Sequence, residues 1–176
     1  MTPRPLPDLL TPQTCRLASR YARTLKATGA MQPDNLVPGA PARYGDALMD
    51  AILDEVHPQI EQAVGTRLLP TYSYFRIYGR GDALPRHTDR PECEVSVTVC
   101  LASSGPDWPL VVETPDGTSH VLVSPPGSGA LYAGPEHPHW REPFAGDEQI
   151  QMFIHYVRAE GPHAALARDG RDRLGV

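Results

Sequence analysis

The spacing of apolar residues changes at Gly65, and this change constrains the fold of the chain more than any other feature. Before it, apolar side chains recur at helical spacing over residues 13–28 and 45–63. After it, short segments rich in β-branched and aromatic residues are separated by turns that contain glycine or proline. The clearest of these segments is 94–101, where valines alternate with other residues. The order predicts two helices followed by a mainly β region.

The individual elements follow from the same spacing. Leu17, Tyr21 and Leu25 form the apolar stripe of the first helix, and the second helix contains Pro58, which can bend it. The proline-containing segments 1–12 and 32–43 are predicted to be irregular. Strands are expected at 69–78, 94–101, 109–113, 119–123, 129–132 and 149–157, with Asp116-Gly117 as a hairpin turn.

Helices followed by roughly seven or eight short strands indicate a mainly β fold with N-terminal helices, of the α+β class. The strand pattern fits a double-stranded β-helix, or jelly-roll, barrel supported by two or three helices. A chain of 176 residues is long enough for one domain with a core but not comfortably for two. We expect a single domain over 1–176, with helical support at 1–65, the barrel at 66–158 and a polar tail at 159–176.

Composition narrows the range of partners and compartments. The formal net charge of -5 argues against a large nucleic-acid-binding face. Cys15, Cys93 and Cys100 have no regular spacing, so reduced thiols are expected rather than a disulfide framework. The N-terminal residues lack the apolar segment of a signal peptide, and no stretch has the length of a membrane span. A cytoplasmic protein that does not bind membranes is the resulting prediction.

Two histidine-containing segments predict a metal site. In an extended segment, His87 and Asp89 point to the same face, as two ligands of one ion must. A third ligand has to come from a distant strand, and His137 and His139 both lie in a suitable position between a loop and a strand. Two imidazoles and one carboxylate on one face form the ligand set typical of non-haem Fe(II) sites. Spacing alone leaves open which of the two later histidines is the third ligand.

Residues 72–157 resemble the iron(II)/2-oxoglutarate dioxygenase domain of the prolyl-4-hydroxylase-like type. The resemblance is carried by the aromatic strand and turn at 78–82, the His-x-Asp sequence at 87–89, the glycine-containing strand at 129–132 and the His-to-Glu-Pro segment at 139–143. It implies that His87, Asp89 and His139 bind Fe(II) and carry catalysis. It also implies that 2-oxoglutarate and O2 are co-substrates and that the reaction hydroxylates a C–H bond.

The resemblance further implies a cation on the strand after the third ligand, where it would bind the far carboxylate of 2-oxoglutarate. Residues 149–156 contain no arginine or lysine, so the cation must come from elsewhere. Arg76 shares one face of an extended strand with two tyrosines, and a guanidinium between two phenols can bind a carboxylate. Arg141 is the second candidate, and two glutamines could add neutral hydrogen bonds. The candidate co-substrate residues are Arg76, Tyr78, Tyr74, Arg141, Gln149 and Gln151.

Two other functions compete with this hypothesis. A cupin-like non-haem metalloenzyme would need no 2-oxoglutarate, but the cupin pattern places His-x-His early, before the carboxylate. A barrel without turnover could also serve as a binding module. For an enzyme, the absence of a second domain favours a small-molecule or exposed peptide substrate and makes nucleic acid an unlikely one. The oligomeric state does not follow from the sequence.

Overall fold

Both predicted helices are present. The computed structural model describes residues 1–175, so Val176, the end of the predicted tail, lies outside the described residues. The helices are α1 (Pro12–Ala27) and α2 (Ala47–Val64), and two short 3-10 segments lie at Pro91–Cys93 and Ala164–Gly170. Within residues 1–175, no helix combines the length and apolar character that crossing a membrane requires.

Eleven strands lie within the described part of the chain. In chain order they are β1 (Arg4–Leu6), β2 (Gln32–Pro33), β3 (Pro41–Tyr44), β4 (Leu68–Gly79), β5 (Leu84–His87), β6 (Val95–Ser103), β7 (Leu110–Glu113), β8 (Ser119–Leu122), β9 (Gly129–Tyr132), β10 (His139–Arg141) and β11 (Glu148–Arg158). The predicted strands β4, β6, β7, β8, β9 and β11 are confirmed to within two residues.

The strands form two antiparallel sheets. One has seven strands in the order β1-β9-β6-β11-β4-β3-β2, and the other has four in the order β5-β10-β7-β8. Every pairing in both sheets is antiparallel. Because the two sheets enclose a shared interior, the fold is the predicted jelly roll with N-terminal helices.

Alternation along β4 gives each face of the larger sheet its own core. Phe75 and Ile77 are fully buried on the face that packs against the helices. Tyr78 is fully buried on the opposite face, inside the barrel. Since both faces are covered, the barrel interior can hold polar side chains while the helix-side core supplies apolar burial.

Both helices begin and end where local chemistry favours it. The Asp46 carboxylate accepts hydrogen bonds from the first amides of α2, and Thr11 caps α1 in the same way. Gly65 ends α2 with a φ of 79°, a conformation that glycine adopts without steric cost. Pro58 lies inside α2, which continues through it. The sequence change at Gly65 therefore coincides with a true helix end.

The predicted apolar stripe of α1 is wrong at Leu17, which is 62% exposed. The face that packs against the sheet instead carries small side chains, including the fully buried Ala18 and Ala22. Counting only large apolar residues misplaces the stripe, because small residues let a helix approach a sheet closely.

The segments predicted to be irregular contain short strands. β1 pairs with β9, and β2 and β3 extend the larger sheet beyond β4. Prolines do not prevent this, because β1 and β2 are the two edge strands, where an amide can be missing without breaking an inner ladder. The prediction for 1–12 and 32–43 was therefore wrong in part.

The three cysteines are buried and free, in agreement with the prediction of reduced thiols.

Asp50 fastens α2 to the sheet and to the C-terminal tail. Its carboxylate is almost fully buried and accepts hydrogen bonds from the amide and hydroxyl of Ser73 at 3.0 and 2.7 Å. The other oxygen accepts from Arg171 and from the amide of Gly175, both at 2.7 Å. One carboxylate thus joins three parts of the chain.

Replacing Asp50 with alanine should lower the free energy of unfolding by about 3–5 kcal/mol, because it leaves buried donors without an acceptor. Chemical denaturation measures this difference. Asp54→Ala is the matched control, since Asp54 is exposed on the same helix. An effect of Asp50→Ala no larger than that of the control would contradict the role assigned to this carboxylate.

Candidate metal centre

Strand pairing in the smaller sheet brings two histidines together. His139, at the start of β10, lies directly opposite His87, at the end of β5. Their ring centroids are 4.3 Å apart. His139 is 2% exposed, whereas His87 faces the cavity mouth with 21% of its side chain exposed. Distant parts of the sequence are therefore brought within ligand distance by one antiparallel pairing.

Backbone carbonyls fix the orientation of both rings. Nδ1 of His87 lies 2.8 Å from the carbonyl oxygen of Pro85, and Nδ1 of His139 lies 2.9 Å from that of His137. Because a carbonyl oxygen only accepts, each Nδ1 must carry the proton and donate it. Each Nε2 is then left without a proton and can act as a metal ligand.

Asp89 completes the group from the segment after β5. Its amide donates to the carbonyl of Gly134 at 3.0 Å, which fixes the backbone. Its Oδ1 lies 3.4 Å from Nε2 of His87 and 3.7 Å from Nε2 of His139. The three side chains form a group whose candidate ligand atoms all lie within 4.8 Å of one another.

The other carboxylate oxygen of Asp89 faces Ser96 rather than His87 and His139. Oδ2 lies 3.4 Å from the hydroxyl of Ser96, which is also 2.9 Å from Nδ1 of His155. His155 is buried. With Cys93, it forms a second group of potential ligand atoms around Asp89. The contact with Ser96, itself held by His155, orients the Asp89 carboxylate on the side opposite His87 and His139.

Gly134 leaves room for this carboxylate. A Cβ at Gly134 would lie 2.4 Å from Oδ2 of Asp89 and 2.8 Å from both the carbonyl of Cys93 and the hydroxyl of Ser96. The carbonyl belongs to the backbone and cannot rotate away. Only glycine therefore fits here without displacing Asp89.

The electrostatics favour an ionised Asp89 and a neutral His139, the forms in which these side chains bind a metal. Burial raises the pKa of Asp89, but the contact with His87 and the neighbouring histidines lower it more, to about 2. Burial lowers the pKa of His139, and burial lowers that of His155 to about 4. For His87, burial lowers the pKa, but Asp89 and the Pro85 carbonyl raise it above the ordinary value. An ionised carboxylate thus stands beside a neutral His139 at neutral pH.

The donor set fits a divalent first-row metal ion. Ligand atoms about 2.1 Å from such an ion stand about 3 Å apart when they occupy adjacent positions. The measured separations of 3.4 and 3.7 Å need only a small inward movement to reach that value. Two imidazoles and one carboxylate on one face would leave the opposite positions open, as in non-haem Fe(II) sites.

His137 points elsewhere. Its Nδ1 accepts a hydrogen bond from the amide of Ala133 at 3.2 Å, and the residue lines a separate surface depression with His120. Among residues 1–175, the groups of side chains that could hold a metal ion include His139 and not His137. The geometry therefore favours the histidine that the resemblance implies.

A cavity of about 160 Å³ opens beside the three candidate ligands. Its lining residues come from both sheets and from the loop before β3, and they include both polar and apolar side chains. Its lining residues are Asp34, Leu36, Tyr72, Tyr74, Arg76, Leu84, His87, Asp89, Tyr132, His139, Phe153 and His155. The three candidate metal ligands and an arginine thus line the same cavity.

Arg76 is the cation of this cavity. It is 3% exposed, and its Nη1 donates to the hydroxyl of Tyr78 at 3.0 Å. Its guanidinium carbon lies 5.4 Å from the ring centroids of both Tyr74 and Tyr78. Burial lowers the pKa of Arg76, but Tyr78, Tyr74 and Asp34 raise it above its ordinary value. The predicted arrangement of a guanidinium between two phenols is present, although Tyr78 itself does not line the cavity.

Arg141 lies in the barrel but not on this cavity. It is fully buried, donates to the carbonyl of Trp108 and stacks over the Trp108 ring at 4.9 Å. Burial lowers its pKa. Among the described residues, its Nε has no hydrogen-bond partner. Arg141 is therefore a second inward cation, at a different place from Arg76.

The two predicted glutamines lie beside Arg76 rather than on the cavity. Gln151 is the strand partner of Arg76, and Gln149 is that of Tyr78. Gln149 donates to Gln151 at 3.0 Å, which donates to the Thr98 hydroxyl at 2.6 Å. These two neutral amides form a hydrogen-bonded chain on the strand next to Arg76, and Arg76 supplies the positive charge.

Sequence reasoning missed several cavity residues. Tyr72 continues the alternation of Tyr74 and Arg76 along β4, so extending the period by one step would have found it. Asp34 offers no such signal, because it lies in a proline-containing loop far from Arg76 in the sequence. Its contact with Arg76 is a product of the tertiary structure.

Comparisons with known proteins agree on the architecture. No protein-family profile matches the chain, and no curated protein matches its sequence. A solved prolyl-4-hydroxylase from Pseudomonas putida superposes with a TM-score of 0.73 at 21% identity, over 89% of this chain and 92% of that chain. The chain has the fold of the 2-oxoglutarate- and iron(II)-dependent oxygenases.

Two further structures support the same fold. A prolyl hydroxylase from Trichoplax adhaerens, solved with a hypoxia-inducible-factor peptide, gives a TM-score of 0.71 at 13% identity, over 90% of this chain and 84% of that chain. HygX from Streptomyces hygroscopicus, solved with nickel and 2-oxoglutarate, gives 0.69 at 10% identity, over 90% of this chain and 83% of that chain. The oxygenase fold thus covers nearly the whole chain.

Replacing His87, Asp89 or His139 with alanine should abolish tight Fe(II) binding, because each change removes one of three ligands. Anaerobic metal titration of the purified variants tests this. His137→Ala and His120→Ala should bind Fe(II) like the wild type. Loss of binding in His137→Ala, with retention in His139→Ala, would assign the third ligand to the other histidine.

Gly134→Ala should weaken Fe(II) binding by at least about fivefold, because the new methyl group displaces the Asp89 carboxylate and such overpacking costs about 1–3 kcal/mol. The same anaerobic titration measures the effect, with thermal unfolding as a check on the fold. Gly79→Ala is the matched control, since its Cβ would meet no atom closer than 3.7 Å. Wild-type affinity in Gly134→Ala would show that Asp89 does not need this space.

Proposed function

We propose that this chain is an Fe(II)- and 2-oxoglutarate-dependent dioxygenase that hydroxylates a C–H bond of a small molecule or a peptide. The observation that carries the proposal is the shared cavity. Its lining includes two histidines and a carboxylate, together with a buried arginine that lies between two phenols. A short dicarboxylate with a chelating end fits such a pair of sites.

Each part of the cavity has a role in this proposal. His87, Asp89 and His139 hold Fe(II) on one side and leave the cavity side free. Bound Fe(II), together with 2-oxoglutarate and O2, supplies the oxidising power that protein side chains lack. The protein supplies binding and orientation.

Arg76 binds the far carboxylate of 2-oxoglutarate in the proposed complex. Burying that carboxylate without a cation would cost several kcal/mol. Tyr74 and Tyr78 hold the guanidinium on both sides, so it does not have to be ordered when the co-substrate arrives. This arrangement replaces the cation that is absent from residues 149–156.

Apolar side chains also line the cavity and would help to exclude water from it. Leu84 and Phe153 are buried, and Leu36 covers the cavity from the loop before β3. Excluding water strengthens the ionic contacts at both ends of the co-substrate. It also keeps solvent away from the open side of the metal.

The net charge of the chain and one structural neighbour bear on the substrate class. The chain carries a net charge of -5, which does not favour nucleic acid. The Trichoplax adhaerens neighbour was solved with a peptide, and a peptide or a small molecule is proposed here. A cytoplasmic location remains part of the proposal, as does a single domain over the whole chain.

Anaerobic titration with Fe(II), with and without 2-oxoglutarate, tests the function. A weak visible charge-transfer band should appear only when both are present, and exposure to O2 should then yield succinate. A cupin-like enzyme would bind Fe(II) with no spectral response to 2-oxoglutarate. A binding module would give the band but no succinate. Either result would overturn the proposal.

Arg76→Ala should leave Fe(II) affinity unchanged and raise the KM for 2-oxoglutarate at least roughly thirtyfold, since losing one partner of a buried ion pair costs about 2–5 kcal/mol. Steady-state kinetics with succinate detection measures the change. Arg80→Ala is the control, because Arg80 is exposed and pairs with Asp147 at the surface. If Arg141→Gln raises the KM instead, the clamp is Arg141.

A further inference from the structure

The carboxylate of Asp34 forms an ion pair with Arg76, the arginine that lines the cavity. Oδ2 of Asp34 accepts a hydrogen bond from Nη2 of Arg76 and another from the hydroxyl of Tyr74 at 2.5 Å. The Arg76 side chain is 3% exposed and that of Asp34 is 33% exposed, so the pair is buried on one side and reachable from the other. Asp34 thus uses two of the donors that a carboxylate ligand would use, and among residues 1–175 only the buried Nε of Arg76 is left without a partner in this guanidinium.

The second oxygen of Asp34 organises the loop that closes the cavity. Oδ1 accepts hydrogen bonds from the amides of Leu36 and Val37 at 3.0 and 2.9 Å. Leu36 lines the cavity, while Val37 and Ala40 are buried in the barrel core. One side chain therefore connects the loop at 34–40 to the arginine clamp.

The ion pair between Asp34 and Arg76 affects the binding of any second carboxylate, because Arg76 carries a single positive charge. Within residues 1–175, the ion pair of Arg76 is with Asp34. A ligand carboxylate arriving at Arg76 would put two anions on one buried cation, and an uncompensated charge is costly at such a site. The single hydroxyl proton of Tyr74 would also have two possible acceptors, Asp34 and the ligand carboxylate. Both donors can serve the ligand fully only if Asp34 leaves.

We propose that Asp34 is a built-in competitor for the co-substrate site and that the far carboxylate of 2-oxoglutarate displaces it from Arg76 and Tyr74. The inference rests on the proposed function, in which Arg76 is the clamp. In the free protein, Asp34 keeps the buried guanidinium paired. On binding, its departure releases the Leu36 loop, so co-substrate binding is coupled to the wall of the cavity.

The protonation of Asp34 is consistent with this role. Burial raises the pKa of Asp34, but the hydrogen bond from Tyr74, the Val37 amide and Arg76 together lower it below its ordinary value. At neutral pH the side chain is therefore a full anion, and it competes with another carboxylate on equal terms.

Asp34→Asn separates the competition from the loop structure. Asparagine keeps the oxygen that accepts from Leu36 and Val37 but removes the charge that faces Arg76. The variant should bind 2-oxoglutarate roughly five- to tenfold more tightly than the wild type, the range expected for a partly exposed ion pair. Anaerobic titration of the Fe(II)-loaded protein, followed through the charge-transfer band, measures the dissociation constant. Asp147→Asn, which removes an exposed carboxylate paired with Arg80, should leave it unchanged.

Hydrogen exchange gives a second readout that does not depend on turnover. In the wild type, 2-oxoglutarate should accelerate amide exchange over residues 34–40, because the acceptor of the Leu36 and Val37 amides leaves its place. Most bound ligands slow exchange near their site, so faster exchange is a specific signature. Asp34→Ser, whose hydroxyl can also cap the turn, should behave like Asp34→Asn and serves if the asparagine variant is unstable.

Two results would overturn the inference in different ways. Unchanged or weaker 2-oxoglutarate binding in Asp34→Asn, with binding still lost in Arg76→Ala, would show that Asp34 orients the clamp and does not compete with the ligand. Undiminished binding in Arg76→Ala would show that the clamp of the proposed function lies elsewhere, and the competition would fail with it.

Discussion

The antiparallel pairing of β10 with β5 is the contact on which the metal centre depends. It places His139 opposite His87, and each Nδ1 atom lies next to the backbone carbonyl two residues earlier in its own segment. β10 has only three residues, so its position is held by its neighbours β5 and β7 rather than by its own length. A slip of one residue would turn His139 to the outside of the barrel.

The larger sheet provides the other half of the cavity by the same rule. Alternation along β4 sends Phe75 and Ile77 into the core under the helices and Tyr74 and Arg76 into the barrel. The apolar core on one face supplies the stability, which permits polar and charged groups on the other. Arg76 remains charged there because its neighbours are hydroxyls and a carboxylate.

Much of this arrangement follows from the sequence. The alternating segments predict β4, β6, β9 and β11, and Asp116-Gly117 predicts the hairpin of β7 and β8. The shared face of Tyr74, Arg76 and Tyr78 also follows from period two alone. The buried stripe of α1 does not follow from the sequence, because small buried residues such as Ala18 carry no strong periodic signal. The short strands β1, β2 and β3 do not follow from the sequence either, since short proline-containing strands at or next to a sheet edge resemble loops.

The sequence by itself determined the elements, the barrel class and the residue types able to hold a metal, because these depend on local spacing and side-chain chemistry. Only the tertiary structure decided which histidine stands beside Asp89, that Gly134 must lack a side chain, and that Arg76 rather than Arg141 faces the cavity. It alone also revealed Asp34 at the clamp. These are contacts between segments far apart in the chain, and strand register and loop closure fix them, whereas local spacing carries no information about either.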